Sequence, residues 1–397
     1  MINRIVILSI LITLNAEVIS AASSDTIPPH WFSRKPQFKV GFETTPAFVP
    51  GTNTFLRGNN PQDKRISASL SGAFRIGFSF NPATREDILY RDTYQGIGVG
   101  ATTFFSPALL GTPISAYVYQ GAPIFRVNNR LRIGYEWKFG AAFGWKHYDE
   151  FEAETNAVAS TSVTAHMSLG IKALYSLSSC WDISVGIEAT HFSNGNTSIP
   201  NAGANSAGLS LGISYNIDPI KGYSPKPSAK LKEEADRPEW MYDITVFGAW
   251  RKRIVETSEP VVCPGKFAVV GLGLSPMRRL NRWVAVGPAL DVQWDESAAL
   301  DRRWVDGTFG DNIKFIRPPF HKQLNIGLSA HAELTMPIFT VNAGLGYNIL
   351  NPRGERRFYQ SLTLKTFITK HIYINTGYRL GKFKDPQNLM LGLGLRL

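Results

Sequence analysis

The stretch from Trp181 to Ile217, WDISVGIEATHFSNGNTSIPNAGANSAGLSLGISYNI, decides how the chain is read. Taken with a period of two, it places Trp181, Ile183, Val185, Ile187, Ala189, His191 and Ser193 on one face of a strand. Asp182, Ser184, Gly186, Glu188, Thr190 and Phe192 fall on the other. A turn rich in Gly, Asn and Pro follows. The alternation then resumes, with Asn205, Ala207, Leu209, Leu211, Ile213, Tyr215 and Ile217 opposite Ser206, Gly208, Ser210, Gly212, Ser214 and Asn216. Two neighbouring strands therefore bring His191, Ser193 and Asn205 to the rim of one apolar surface, where core packing requires no polar group.

The same alternation extends through most of the chain. Working outward from this stretch, it predicts strands near 37–48, 66–80, 94–106, 112–125, 130–148, 159–177, 181–193 and 205–217. Eight more are predicted near 241–256, 265–279, 282–295, 321–335, 337–350, 356–368, 371–381 and 387–397. Each has about the length of a tilted strand that crosses a bilayer. In the fifth, Leu131, Ile133, Tyr135, Trp137, Phe139, Ala141, Phe143 and Trp145 face Arg132, Gly134, Glu136, Lys138, Gly140, Ala142, Gly144 and Lys146 across the strand. A continuous aromatic face opposed by alternating charges suits a wall with lipid outside and ion pairs inside; a soluble sandwich would reverse it.

Composition agrees. The 35 Gly, 24 Phe, 14 Tyr and 9 Trp favour strands over helices. A mean hydropathy of −0.10 is what alternating lipid-facing and lumen-facing residues produce. The expectation is an all-β, antiparallel transmembrane β-barrel of about 16 strands, with shared face parity in both halves favouring one wide barrel; the alternative is an eight-stranded barrel followed by a second small barrel. Residues 1–22, with Arg4, an apolar run and small residues at Ser20–Ala22, suit an export signal. Residues 37–217 and 241–397 form the two barrel regions, joined by a linker at 218–240 with a short helix over 229–235. The formal charge of +11 points to an acidic neighbour such as anionic or phosphorylated glycolipid, and not to nucleic acid.

If the chain enters from the periplasmic side, odd-numbered strands run outward. The long connections at 49–65, 149–158, 194–204 and 296–320 then lie outside, and 81–93 and 218–240 are the long exceptions inside. Cys180 and Cys263 fall at opposite ends of the strands and are expected as thiols.

The segment His191-Phe192-Ser193-Asn194-Gly195-Asn196, followed by Pro200-Asn201-Ala202-Gly203-Ala204-Asn205, resembles the signature of the outer-membrane lipid A 3-O-deacylases, the PagL family. The resemblance spans roughly 37–217 and implies an eight-stranded barrel there. In that family a His and a Ser two residues apart on a strand, with an acidic residue at the start of the next, form a triad facing the lipid. Carried over, His191 is the base, Ser193 the nucleophile and Asn205 the third member, with an oxyanion site near Asn194 and Gly195. Asn205 stands where the family has an acid; it can orient the imidazole but adds no negative charge, and Asp149, Glu150 or Glu152 of the neighbouring outer loop are the carboxylates that could compensate.

The implied activity is hydrolysis of an ester-linked acyl chain of lipid A in the Gram-negative outer membrane, without metal or cofactor. The expected partners are lipopolysaccharide and outer-membrane lipids, with homo-oligomerisation left open. A serine hydroxyl needs a base near neutral pH, and imidazole is the side chain best matched to that task. The competing expectation is a non-enzymatic pore or structural barrel. His166 and His331 fall on polar faces as lumen hydrogen-bonders, and Glu136, Lys138, Arg132 and Lys146 as an interior charge network. Arg302, Arg303 and Arg317 belong to the longest outer loop. No P-loop, Gly-x-Ser-x-Gly elbow, zinc spacing or dinucleotide fingerprint occurs.

Overall fold

The computed structural model describes residues 35–81, 84–149, 153, 155–217, 219, 228–255, 261–263, 265–298, 300, 318–351, 357–383 and 385–397. Residues 1–22, expected as an export signal, and Glu150, Glu152, Arg302, Arg303 and Arg317 lie outside the described residues. Eight strands make the first wall: β1 (Gln37–Phe48), β2 (Ala68–Ser79), β3 (Tyr94–Thr103), β4 (Gly111–Arg126), β5 (Leu131–Trp145), β6 (Val163–Ser176), β7 (Trp181–Ser193) and β8 (Ala204–Asn216). After a helix over Ala229–Asp236 come β9 (Glu239–Arg251) and a short outer pair, β10 (Ile254–Val255) with β11 (Val261–Val262). The wall then continues through β12 (Phe267–Arg279), β13 (Val284–Asp295), β14 (Leu324–Thr335), β15 (Phe339–Leu350), β16 (Phe358–Phe367), β17 (Ile372–Gly381) and β18 (Asp385–Arg396).

The sixteen long strands close as two antiparallel barrels of eight. Of the two closures compatible with the sequence, this is the eight-plus-eight one. The single wide barrel does not form, because β8 pairs with β1 and β18 pairs with β9. The two closures differ only in those pairings and share every inward and outward alternation, so strand patterning does not separate them.

An eight-stranded barrel is just wide enough for its own side chains to fill. In the first, Glu43, Glu136 and Glu188 meet Arg75, Lys138 and Lys172. Lys172 Nζ lies 2.5 Å from Glu43 and 2.6 Å from Glu136, Lys138 Nζ lies 2.7 Å from Glu188, and Arg75 lies 2.6 Å from Glu136. Three carboxylates against three cations leave this cluster compensated without an ion. Arg132 pairs with Asp92 near the inner rim. In the second barrel Asp243 and Glu333 take Lys365 and Arg396, the latter at 2.7 Å from each acid. Two cavities among these lumen groups measure about 70 and 30 Å³, room for a few waters.

The outer surface of the described strands is predominantly apolar. Phe74, Ile97, Ile187, Leu328 and Leu393 are each more than half exposed, and Leu345 is half exposed. A girdle of that extent is the surface of a protein solvated by lipid. One expected alternation breaks. Trp145 does not face lipid, because Gly144 takes a positive φ of +84° beside a register shift in β4, and the bulge turns the next residue inward. Trp145 Nε1 then donates to Thr164 Oγ1 at 2.9 Å within a cluster containing Phe104 and Phe192. Lys146 is consequently exposed and takes no part in the lumen network.

The barrels touch at three levels. On the inner side the long 81–93 connection carries a helix, Arg85–Tyr90, whose last ring packs 4.8 Å from Trp283 and donates to the Arg282 carbonyl at 3.0 Å. Within the walls, Trp137 packs against Phe339 and Leu364. There the outward-pointing Gln120 is fully covered and donates to the Pro337 carbonyl at 3.1 Å. At the outer end, the turn after β7 meets β17 and β18. Cys180, in the β6–β7 turn, and Cys263, after β11, are not joined by a disulfide.

Candidate active site on the outer wall of the first barrel

The register of β7 and β8 sets His191 directly opposite Asn205, with Ala189 opposite Ala207 one step further in. Directly opposed residues of an antiparallel pair have side chains close enough for a hydrogen bond. His191 Nδ1 and Asn205 Oδ1 are 2.7 Å apart. With the amide oxygen toward the ring, Nδ1–H donates and Nε2 keeps its lone pair. Both side chains lie on the outward face, in line with exposed Ile187, Val185, Leu209 and Leu211. Gly203, at φ +69°, carries the returning chain against the ring: a Cβ there would stand 3.1 Å from His191 Cε1 and 2.7 Å from the Phe192 carbonyl oxygen. A larger residue there would carry the strain of the positive φ and crowd the imidazole.

Ser193 is two residues further out on the same face and only 5% exposed. Its Oγ is held by the turn. Asn201 Nδ2 donates to it at 3.0 Å and the Gly195 N–H at 3.2 Å, while Asn201 Oδ1 lies 3.2 Å away as acceptor. Among the described hydrogen bonds, none joins Ser193 Oγ to His191; the two side chains share a face and are separated by one strand repeat. Catalytic hydrogen bonds are often loose before substrate binds.

Asn194, expected as an oxyanion donor, has both amide hydrogens committed, to Ser160 Oγ and the Ser198 carbonyl at 3.1 Å each. Its backbone N–H bonds Asn201 Oδ1 at 3.0 Å. Asn194 therefore clamps the turn. Gly195, with φ +64°, presents its N–H beside the serine oxygen. Asn201 is the residue that strand patterning passes over: it lies in the turn, where no period marks it, and its only signal in the sequence is its place in the Pro200-Asn201 segment. Of the compensating carboxylates considered for the imidazole, Asp149 alone is a described residue, and the Nδ1 position of His191 is taken by Asn205.

The second barrel supports this turn. Tyr378 donates its hydroxyl to the Ser193 carbonyl at 3.4 Å, Asn196 Nδ2 donates to the Pro386 carbonyl, and the Lys252 N–H donates to the Asn196 carbonyl at 3.1 Å. A Cβ on Gly195 would come within 2.4 Å of the Tyr378 ring, so glycine there meets both a left-handed backbone and a close neighbour.

Comparison with known families bears directly on this geometry. Residues 53–214 match the lipid A 3-O-deacylase (PagL) family, and residues 240–397 match the acyloxyacyl hydrolase, C-terminal domain family. The chain belongs to the PagL-type lipid A 3-O-deacylase family. It is accordingly an outer-membrane β-barrel of a hydrolase family whose substrate is lipid A. No curated protein matches the chain. Solved structures similar to this PagL-type chain include the siderophore receptor PirA from Acinetobacter baumannii, at 9% identity and TM-score 0.22 over 87% of this chain and 68% of that one. A mutant of the Rh. blastica porin is 10% identical at TM-score 0.19, over 91% of this chain and all of the porin. Strand pairing within this chain closes both barrels.

Proposed function

We propose that this PagL-type barrel removes an ester-linked acyl chain, the one at position 3 of lipid A, using His191 as base and Ser193 as nucleophile on the lipid-facing wall of the first barrel. The observation that carries the reading is the 2.7 Å His191–Asn205 pair on the outward face, one strand repeat from a serine whose oxygen already accepts a backbone N–H. Nε2 takes the hydroxyl proton as Oγ attacks the ester carbonyl. Collapse of the tetrahedral intermediate then returns that proton to the sugar oxygen that leaves. Water, deprotonated by the same imidazole, frees the acyl group from the serine. Asn205 keeps the ring in the tautomer with Nε2 unprotonated and aimed along the wall. The donors assigned to the oxyanion are the Gly195 N–H and the Asn201 amide, with Asn194 holding the turn that presents them.

Mass spectrometry of lipid A incubated with the purified, folded protein tests this scheme: loss of one hydroxyacyl chain by the wild type, absent in Ser193→Ala and His191→Ala, is the expected result. Unchanged lipid A from a folded wild-type barrel would remove the proposal, and single-channel conductance in planar bilayers would then address a pore.

A further inference from the structure

Between the barrels, on the membrane-facing side, lies a groove of about 760 Å³ that begins at His191 and Asn205. The first barrel lines it with Tyr135, Trp137, Met167, Leu169, Ala189 and Ala207; the second lines it with Leu334, Val341, Leu362, Leu364 and Thr376. Its hollow has a sequence cause. Directly inside the His191–Asn205 pair sits the Ala189–Ala207 pair, and these short side chains recess a wall that is otherwise built from Leu, Ile and Val. Lining residues on β5 run from Phe139, level with Met167 and His191, to Tyr135. That is four residues, or ~13 Å at about 3.3 Å each. The groove is bounded: the Trp137–Phe339–Leu364 cluster stands where the walls meet, and Tyr378 and Leu389 close over the turn at the outer end.

We infer that this groove seats the acyl chain whose ester is cleaved, and that Val341, Leu362 and Leu364 of the second barrel set the length it accepts. The inference rests on the deacylase reading above and adds a role for residues 241–397. The occupant follows from continuity: a lipid ester at Ser193 has its headgroup side toward the outer rim and its tail directed inward past His191, and the groove is the apolar space that begins there. Lipid tails are as apolar as the wall, so seating a chain gains little from leaving the bilayer. What the groove contributes is alignment, because a tail laid in a bounded channel holds its ester at one height against Ser193. Selection by length therefore acts on turnover more than on binding.

The test uses the full chain in vesicles of lipid A and phospholipid. Wild type and Leu362→Trp, a change at an exposed wall position, are compared on lipid A preparations whose ester-linked chains differ in steps of two carbons. The narrowed groove should favour shorter chains, changing the rate ratio of longest to shortest by about tenfold or more. Phe74→Trp, at a lipid-facing position of β2 that does not line the groove, should leave that ratio as in the wild type. An unchanged ratio in active Leu362→Trp overturns the inference. A further measurement needs no turnover: in Ser193→Ala, lipid A with a photoreactive group at the tail of its ester-linked chain should label β14, β15 and β16, and phospholipid carrying the same group should not. Equal labelling by phospholipid, or labelling confined to the first barrel, overturns the inference, the groove then holding bulk lipid. A wild type that turns over no lipid A would end the deacylase reading alone, and the labelling would still decide the groove.

Discussion

The two barrels each pair a histidine with an asparagine of the next strand, and they do so on opposite sides of the wall. In the first, His191 bonds Asn205 on the outward face, and Ser193 lies a strand repeat away in a built turn. In the other, His331 Nδ1 lies 3.0 Å from Asn342 and its Nε2 is 2.9 Å from Ser329 Oγ. Judged by hydrogen bonding alone, the His331 group is the more triad-like of the two. Yet Ser329 also donates to Asp291 at 2.6 Å, which already takes its proton, and the cavity there is about 30 Å³. On the proposed mechanism, connectivity of a serine, a histidine and an asparagine is a poor guide to catalysis, and the side of the wall they occupy is what separates the two groups.

Deleting the hydroxyls challenges this contrast most directly. Ser193→Ala should lower lipid A deacylation by about 10⁴-fold or more, whereas Ser329→Ala should stay within about twofold, both read by mass spectrometry of the lipid product. Equal losses would mean that side does not matter. Next in size is the pair of lumen networks. Lys138→Met leaves Glu43 and Glu188 short of a cation, and Lys365→Met does the same to Asp243 and Glu333. Each should destabilise its barrel by about 3–5 kcal/mol, measured by denaturant titration, and separate unfolding steps for the two barrels would show that they close independently.

A smaller effect is expected from restoring charge. Asn205→Asp should raise turnover by about tenfold, because a carboxylate stabilises the imidazolium that an amide only orients, while Asn342→Asp should not change it. A fall in Asn205→Asp activity would show that the amide, not its geometry, is required. The smallest change tests the contact between barrels: Tyr378→Phe removes one long hydrogen bond to the Ser193 carbonyl and should cost no more than about fivefold in rate.

Much of the wall is legible in the sequence. Strands β1 and β7 have the bounds that alternation predicts, since a wall with lipid on one side and ion pairs on the other imposes a period of two on every residue. The His191–Asn205 contact is legible for the same reason, both residues falling on the outward parity of adjacent strands. Asn201 and the engagement of Asn194 are not, because turn residues obey no period and their partners are set by how the loop folds back. Trp145 departs from its expected face through the positive φ of Gly144 beside the register shift in β4, a local event at the end of β5 that no period of two signals.

The order of residues is enough to say which side of a barrel wall a regularly extended strand position faces, and with it the outward placement of His191, Ser193 and Asn205, because alternation is a local property of an extended chain between lipid and lumen. Closure after eight strands, with a second barrel beside the first, came from long-range pairing. So did the fact that outward residues such as Gln120 and Leu364 meet protein where their neighbours meet lipid. An apolar side chain has the same composition in either surrounding, so only the pairing of distant strands and the packing of two closed walls can tell them apart.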